Sequence, residues 1–479
     1  MLFPTVAFAV FFIAAFTANW LLRPHHLVWR ATMVAFSLYF CGWIDLRFVL
    51  VVVGMAAVNA VAATAARRAM PGGSPTVASR RIVRAAVTVD VAVLGVLAYH
   101  RFLIDAVVET LDAVGLSPGA PVLGLLVPVG VSFFTLHAIS YVVDVGRGDV
   151  EPVAFADVLL YLCFFPHLVA GPVSRVDELV PQFHERPDPR RVPATDAFVL
   201  VGLGLVKAVV VAGYLGTEVV DPAFAEPSAA SGPELLVAAY AFAVQIYAGF
   251  SGATDMATGC ALLLRIHYPL AFDAPYRALS VGEFWERWNI TVSRWLRDYV
   301  YVPLGGSRDD LPTTYRNVLV TALLGGLWYG PGWTFVAWGG LHGAYLVGER
   351  AARRWWAGHG TEVAVPAPLA ATLRWALTFH LVCLAWIVFR AGTVGGGIEI
   401  AGRIVTAAAG DAWPVPTVAL LVVAAALVAQ LAPPPRTLAL QARFSQLAPA
   451  AQAAVLAAAL TLVGALGPDG SAPFGFLPF

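Results

Sequence analysis

The stretch that decides the fold runs from FSGATDMATG (250–259) through FWERWNITVSRWLRDYVYVPLGGSR (284–308) to GGLWYGPGWTFVAWGGLHG (325–343). Charged and amide side chains lie there inside an otherwise apolar sequence. A polar group in hydrocarbon is costly unless it is paired or faces water, so an intramembrane polar cluster marks a candidate functional site. The stretch therefore predicts a polar site embedded in a membrane.

The composition of the whole chain agrees with this interpretation. Of 479 residues, 59% are hydrophobic and 13% are charged, whereas a soluble domain carries about 25% charged residues. The formal net charge is zero, so nothing suggests a nucleic-acid partner. The four cysteines lie far apart in apolar stretches without metal-ligand spacing, so no metal site is predicted. The chain is expected to be a polytopic membrane protein in contact with the lipid bilayer.

Long apolar runs predict an all-α membrane protein with roughly 11–12 membrane-embedded helices, including re-entrant or interfacial segments. The predicted spans lie near residues 2–22, 31–44, 48–66, 85–103, 121–143, 155–173, 197–220, 234–264, 315–346, 370–390, 414–432 and 450–467. Residues 281–304 are too charged to face lipid and predict an amphipathic or re-entrant helix. One transmembrane domain is expected over 1–479, with peripheral helices in 1–120, a core in 121–350 that holds the signature block 245–346, and C-terminal helices in 369–479.

The orientation follows from the arginine-rich loop 67–84, which holds Arg67, Arg68, Arg80, Arg81 and Arg84. Loops rich in Lys and Arg stay on the cytoplasmic side. Counting back through three spans places the N-terminus outside. We expect a multi-pass protein of the plasma membrane with an extracytoplasmic N-terminus.

The segment WERWNITVSRWLRDY (285–299) combines aromatic and charged side chains. On one helix, Trp288, Trp295 and Tyr299 would form an aromatic stripe. Arg294 and Asp298 are four residues apart and can pair, which leaves Arg297 for another neighbour or an anionic ligand. Two interpretations stay open: the polar wall of an internal cavity, or an interfacial helix anchored by Trp and Arg at headgroup depth.

Three histidines and one aspartate lie in apolar surroundings. His342 stands in WGGLHGAYL, where it fits either a general base or a structural hydrogen bond between helices. His137 in FFTLHAISYVVD and His167 in FFPHLVAGPVSR are further candidates, and His167 is expected near a helix end. Asp255 follows FSGAT. The chain has no HExxH motif, so a zinc protease is not supported.

An ordered set of segments resembles the membrane-bound O-acyltransferase (MBOAT) family, in its bacterial alginate O-acetyltransferase-like branch. The matching segments are VPVGVSFFTLHAISYVVDVGRG (127–148), FFPHLVAGPVSR (164–175), QIYAGFSGATDMATGCALLLRI (245–266), the block 284–306, NVLVTALLGGLW (317–328) and TFHLVCLAWIVFRA (378–391). The resemblance implies helices wrapped around a central tunnel that binds the substrates. The residues implied in the tunnel wall are Trp288, Trp328, Arg294, Arg297, Asp298, Asp255, His137 and His167.

The resemblance also implies an activity. Family members pass an acyl group from a cytosolic thioester donor to a hydroxyl acceptor, and in the bacterial branch the group ends on an extracytoplasmic polysaccharide. The implied donor substrate is an acyl-CoA, with acetyl-CoA as the first choice, and no bound cofactor is implied. A separate extracytoplasmic acyltransferase is an implied partner. The implied role of the chain is polysaccharide O-acetylation in exopolysaccharide biosynthesis.

Three positions depart from the family pattern. Asn289 and Tyr329 stand where the branch reads His in RWHIS and GLWHG, and Phe476 stands where a tail Tyr is common. A tyrosine hydroxyl is a poor base at neutral pH, and losing a general base costs on the order of 10²–10⁴ in rate. His342 remains, but a continuous helix would hold it roughly 20 Å from Tyr329 unless the helix breaks at Gly330-Pro331.

Two functions therefore stay open. The first is a working O-acyltransferase whose catalytic residues are His342, Asn289 and Tyr329. The second is a protein of this fold with lost or weakened catalysis, which acts as a partner, a binder or an acyl-lipid conduit.

Overall fold

The computed structural model describes residues 5–116, 124–128, 130–308, 310–359, 366–406, 415–432 and 442–448, with a few further positions. Within these residues every regular element is a helix. The chain divides into two compact units, Met1–Ala197 with Ala257–Pro269, and Phe198–Met256 with Leu270–Pro478. The expected single domain over 1–479 stays a prediction. Phe476 and most of the predicted helix 450–467 lie outside the described residues.

The first unit begins with long helices and continues with shorter ones. In chain order they are α1 (Val6–Leu22), α2 (His26–Cys41), α3 (Arg47–Arg68), α4 (Val77–Ala98), α5 (His100–Asp112), α6 (Val131–Arg147), α7 (Phe155–Cys163), α8 (Phe165–Leu168) and α9 (Val176–His184). Two polar pairs lie inside this unit: Asn59 Nδ2 donates to Asp90 at 2.9 Å, and Arg30 contacts Asp157 at 3.1 Å. Such pairing lowers the cost of polar groups in an apolar interior.

The second unit holds the helices that follow. They are α10 (Ala194–Ala225), α11 (Gly232–Leu263), α12 (Val281–Arg287), α13 (Ile290–Leu296), α14 (Leu311–Tyr329), α15 (Trp333–His359), α16 (Ala367–Arg390), α17 (Val394–Thr406) and α18 (Thr417–Leu431). α10 begins in residues of the first unit, and α11 ends in residues of the first unit. Two π-helical segments, Val206–Val211 and Gly216–Val220, interrupt α10. The core of this unit is aromatic, with Trp338 and Trp386 stacked at 5.2 Å between ring centroids.

Four of the described helices are long and apolar enough to cross a membrane: α3, α10, α11 and α16. The number becomes five if α4 and α5, which meet at 73°, form one broken span. Two further apolar helices, α1 and α18, are shorter, in the range of 10–17 residues. The chain is thus a multi-pass helical membrane protein, as predicted.

Three spans predicted as continuous are wrong in detail, because Pro and Gly interrupt the helix in each. Among the described residues of the span 121–143, the helix begins at Val131, after Pro128 and a left-handed Gly130 with φ of 76°. The span 155–173 divides into α7 and α8 and then leaves the helical conformation at 171–175. Proline lacks a backbone donor and glycine tolerates positive φ, so these residues end helices that hydropathy alone would continue.

The third broken span, predicted over 315–346, matters most for function. The helix ends at Tyr329 and resumes at Trp333, and Gly330, Pro331 and Gly332 form the break. α14 and α15 then pack as a hairpin. Glycines let the two backbones approach closely, since a Cβ placed on Gly326 would lie 2.3 Å from the carbonyl oxygen of Phe335.

Candidate functional site

The segment 281–304 is not one helix, because the chain breaks at Trp288 and Asn289. α12 ends at Arg287 and α13 begins at Ile290, while Asn289 adopts a left-handed conformation with φ of 41°. Asn tolerates this conformation better than most residues. Backbone hydrogen bonds fix the break, with Ile290 N donating to the carbonyl of Ala271 at 2.8 Å.

The break also divides the predicted aromatic stripe. Trp295 and Tyr299 stay together, with ring centroids 5.1 Å apart. Trp288 instead turns into the aromatic core, where it is fully buried. Asp298 pairs with Arg297 at 2.8 Å, and Arg294 is exposed. The helix widens into a π-helical turn at Arg297–Tyr301, in which backbone hydrogen bonds join residues five apart. The Arg294–Asp298 pair stays a prediction.

The hydroxyl oxygen of Tyr329 is the centre of a small hydrogen-bonded group. The indole N–H of Trp288 donates to it at 2.9 Å, and the Asn289 amide donates at 3.2 Å. Tyr329 is fully buried. Both lone pairs of the hydroxyl thus receive an N–H, and the remaining O–H is a donor. Asn289 and Tyr329, the two positions that depart from the family pattern, contact each other directly.

His342 lies beside this group, because of the break at Gly330–Gly332. Trp338 contacts both side chains: its ring lies 5.0 Å from that of Tyr329 and 4.8 Å from that of His342, measured between centroids. The separation of roughly 20 Å expected for a continuous helix does not apply. The Trp285 indole N–H donates to His342 Nδ1 at 3.2 Å. The three predicted catalytic residues therefore share one buried aromatic cluster.

His137 and His167 form a second group, in the first unit. Their rings stack at 4.6 Å and both side chains are fully buried. His137 Nδ1 donates to the Phe133 carbonyl at 2.8 Å, and His167 Nδ1 lies 3.3 Å from the Tyr268 hydroxyl. His167 does lie near a helix end, in α8, as expected.

The remaining predicted site residues lie in the second unit. Asp255 forms an ion pair with Lys207, which also donates to the Ser251 hydroxyl at 3.0 Å. Trp328 is buried, and its ring centroid lies 5.0 Å from that of Tyr329. Among the residues that the structure describes, no group of three His, Cys, Asp or Glu side chains is placed to hold a metal ion.

Sequence reasoning missed three residues that the structure brings to these groups: Lys207, Trp285 and Trp338. Lys207 is the only lysine in the chain, a signal that pointed to it without indicating its partner. Trp285 carried no separate signal, because tryptophan is also common at membrane interfaces. The contact of Trp285 with His342 appears only when α12 packs against α15, whereas Trp338 lies four residues before His342 on α15, a spacing that could have indicated their contact.

Comparison with known proteins adds a family to this geometry. Residues 91–384 match the model of the MBOAT, membrane-bound O-acyltransferase family. The protein named "Probable alginate O-acetylase AlgI" in Pseudomonas aeruginosa is 35% identical over 396 residues, which is 82% of this chain and 72% of that protein. Its namesake in Azotobacter vinelandii is 38% identical over 320 residues, 67% of this chain and 62% of the relative.

A further relative carries a different name. The "Peptidoglycan O-acetyltransferase" of Helicobacter pylori is 34% identical over 309 residues, 58% of this chain and 56% of that protein. The matches to these three relatives span between 56% and 72% of their lengths. On the extent of the family match and the identity to these relatives, the chain belongs to the membrane-bound O-acyltransferase family.

Proposed function

We propose that this chain is an O-acyltransferase that moves an acetyl group from a cytosolic thioester, acetyl-CoA, to a hydroxyl of an extracytoplasmic polysaccharide. Family membership supports the acyl transfer, and the names of the relatives support acetyl as the group. The observation that carries the proposal is one buried cluster, in which Asn289 contacts Tyr329 and Trp338 contacts both Tyr329 and His342.

The cluster suits this reaction because it holds N–H and O–H groups in an apolar surround. In the transfer, the acceptor hydroxyl forms a C–O bond with the acyl carbon, the C–S bond of the thioester breaks, and the hydroxyl proton ends on the departing thiolate. Negative charge develops on the carbonyl oxygen in the transition state. Fixed donors in a site without water stabilise that charge more than they would in bulk solvent.

The first test is acyl transfer by purified protein in nanodiscs, with radiolabelled acetyl-CoA, longer acyl-CoAs and an oligosaccharide acceptor. We expect acetyl transfer by the wild type and a loss of about 10²–10³ in kcat for His342→Ala. His380→Ala is the matched control, because His380 is an exposed histidine on α16 that contacts Tyr240 and not the cluster. Absence of turnover with every donor, also after co-expression with an extracytoplasmic acyltransferase, would refute the proposal.

A second candidate function is a protein of this fold with weakened catalysis that acts as a partner, a binder or an acyl-lipid conduit. The observation that favours it is the engagement of the Tyr329 oxygen by Trp288 and Asn289, which leaves no free lone pair there. If the wild type is inactive only because it lacks the two histidines of the family pattern, the double variant Asn289→His with Tyr329→His should gain turnover. An inert double variant would show that the loss goes beyond these two positions.

The orientation completes the proposal. The arginine-rich loop 67–84 supports a cytoplasmic position for that loop and an extracytoplasmic N-terminus. Reporter fusions within the loop and at the N-terminus test it, since a fluorescent reporter folds in the cytoplasm and a phosphatase reporter works outside. Phosphatase activity from a fusion in the loop would show that the loop is extracytoplasmic, and would contradict the proposed orientation.

A further inference from the structure

The two ring nitrogens of His342 have different surroundings. Nδ1 lies 3.2 Å from the indole Nε1 of Trp285. An indole N–H can only donate, so Nδ1 accepts the hydrogen bond and does not carry a proton. The single proton of the neutral ring is then on Nε2. The contact with Trp285 therefore selects one tautomer of His342.

The other nitrogen, Nε2, is a buried donor that has no protein partner among the described residues. His342 is 0% exposed. Buried polar atoms are paired in the great majority of cases, so an unpaired N–H at a candidate active site points to a ligand group that accepts it. The ring cannot turn away easily, because Phe284 stacks on it at 5.8 Å and Trp338 lies edge-on at 4.8 Å.

We propose that His342 acts as a hydrogen-bond donor to the thioester carbonyl oxygen through its Nε2–H, and that Trp285 is the positioning residue that holds this tautomer. The proposal rests on the acyltransferase function proposed above. During the transfer His342 keeps its proton, and its hydrogen bond strengthens as charge develops on the carbonyl oxygen. The hydroxyl proton ends on the thiolate and does not rest on His342.

The same geometry opposes the role of a general base. To accept a proton at Nε2, the ring would first have to carry its proton on Nδ1. Two N–H groups, those of His342 and Trp285, would then face each other across 3.2 Å. His137 provides the opposite case in this chain, because its Nδ1 donates to the Phe133 carbonyl and its Nε2 is left with a lone pair. The two histidines are expected to be opposite tautomers.

The kinetic test compares His342→Gln with His342→Ala. Glutamine can present an amide N–H close to the position of Nε2 but has no basic nitrogen. Because a removed donor costs about 10²–10³ in kcat, we expect His342→Gln to retain at least about ten-fold more turnover than His342→Ala. The shape of the kcat–pH profile should stay that of the wild type. His380→Gln is the matched control. Equal losses in the two His342 variants, with the wild-type pH dependence abolished in both, would overturn the proposal.

A spectroscopic test is independent of turnover. In ¹⁵N-histidine NMR of the full chain in nanodiscs, His342, assigned by the signal lost in His342→Gln, should show a protonated Nε2 and an unprotonated Nδ1. In Trp285→Phe, His342 should populate both tautomers, and kcat should fall. A protonated Nδ1 in the wild type would overturn the proposal. An inactive wild type with the expected tautomer would instead refute the acyltransferase function and with it the carbonyl as the accepting group, while the tautomer assignment would stand.

Discussion

Replacing Gly339 with alanine tests the close approach on which the α14–α15 hairpin depends. A Cβ at position 339 would lie 2.4 Å from the carbonyl oxygen of Ala322 and 3.0 Å from the Cα of Gly326. Ordinary contact begins at 3.4 Å, so the first distance is 1.0 Å too short (3.4 minus 2.4). Both obstructing atoms belong to the backbone and cannot rotate away. The two helices must therefore separate by about this distance.

The neighbouring Gly340 provides the matched control. A Cβ there would meet only the Leu323 side chain, at 3.6 Å. Both substitutions gain about 1 kcal/mol of helix propensity, whereas the clash costs about 1–3 kcal/mol. The difference between Gly339→Ala and Gly340→Ala therefore isolates the clash, and we expect Gly339→Ala to be the less stable variant by about 1–3 kcal/mol.

The separation should also reach the site, because α14 ends at Tyr329 and α15 carries His342. A displacement of 1 Å can cost about 10² in rate. The assay is thermal unfolding followed by tryptophan fluorescence, together with acyl transfer, on both variants in the same nanodiscs. Equal stability and equal turnover of the two alanine variants would refute the helix contact described here.

Two further predictions concern the ion pair and the break. Breaking a fully buried ion pair costs about 3–5 kcal/mol, and Lys207→Met should destabilise the protein by less than this, because the side chains of Lys207 and Asp255 are 26% and 25% exposed. The double variant Lys207→Met with Asp255→Leu should regain most of the lost stability in the same unfolding assay, and a double variant as unstable as the single one would contradict a pairing role. Asn289→Ala should be less stable than Asn289→Gly by about 1–2 kcal/mol, because alanine resists the left-handed conformation. Both variants should have a lower turnover, because both lose the hydrogen bond to Tyr329. Unchanged turnover in Asn289→Gly would show that the amide has no part in the site.

The sequence by itself determined the membrane class, the helical fold and the family of this protein. These properties rest on local signals: apolar runs long enough to span a bilayer, and ordered segments such as 284–306 and 317–328. The sequence also named three candidates: His342 as an ionisable group in an apolar helix, and Asn289 and Tyr329 as positions where the family pattern reads His. The roles assigned to these residues stay predictions that the experiments above address.

Only the tertiary structure decided which candidates meet. The break at Gly330–Gly332 folds α15 back on α14 and brings Trp338 into contact with both Tyr329 and His342. The left-handed Asn289 and the contact of Trp285 with His342 Nδ1 depend likewise on packing between segments distant in sequence. Hydropathy reports how apolar a segment is, but not where a proline or glycine bends it or which ring it then contacts. The donor character of His342 follows from such a contact, and so it could not be predicted from the sequence.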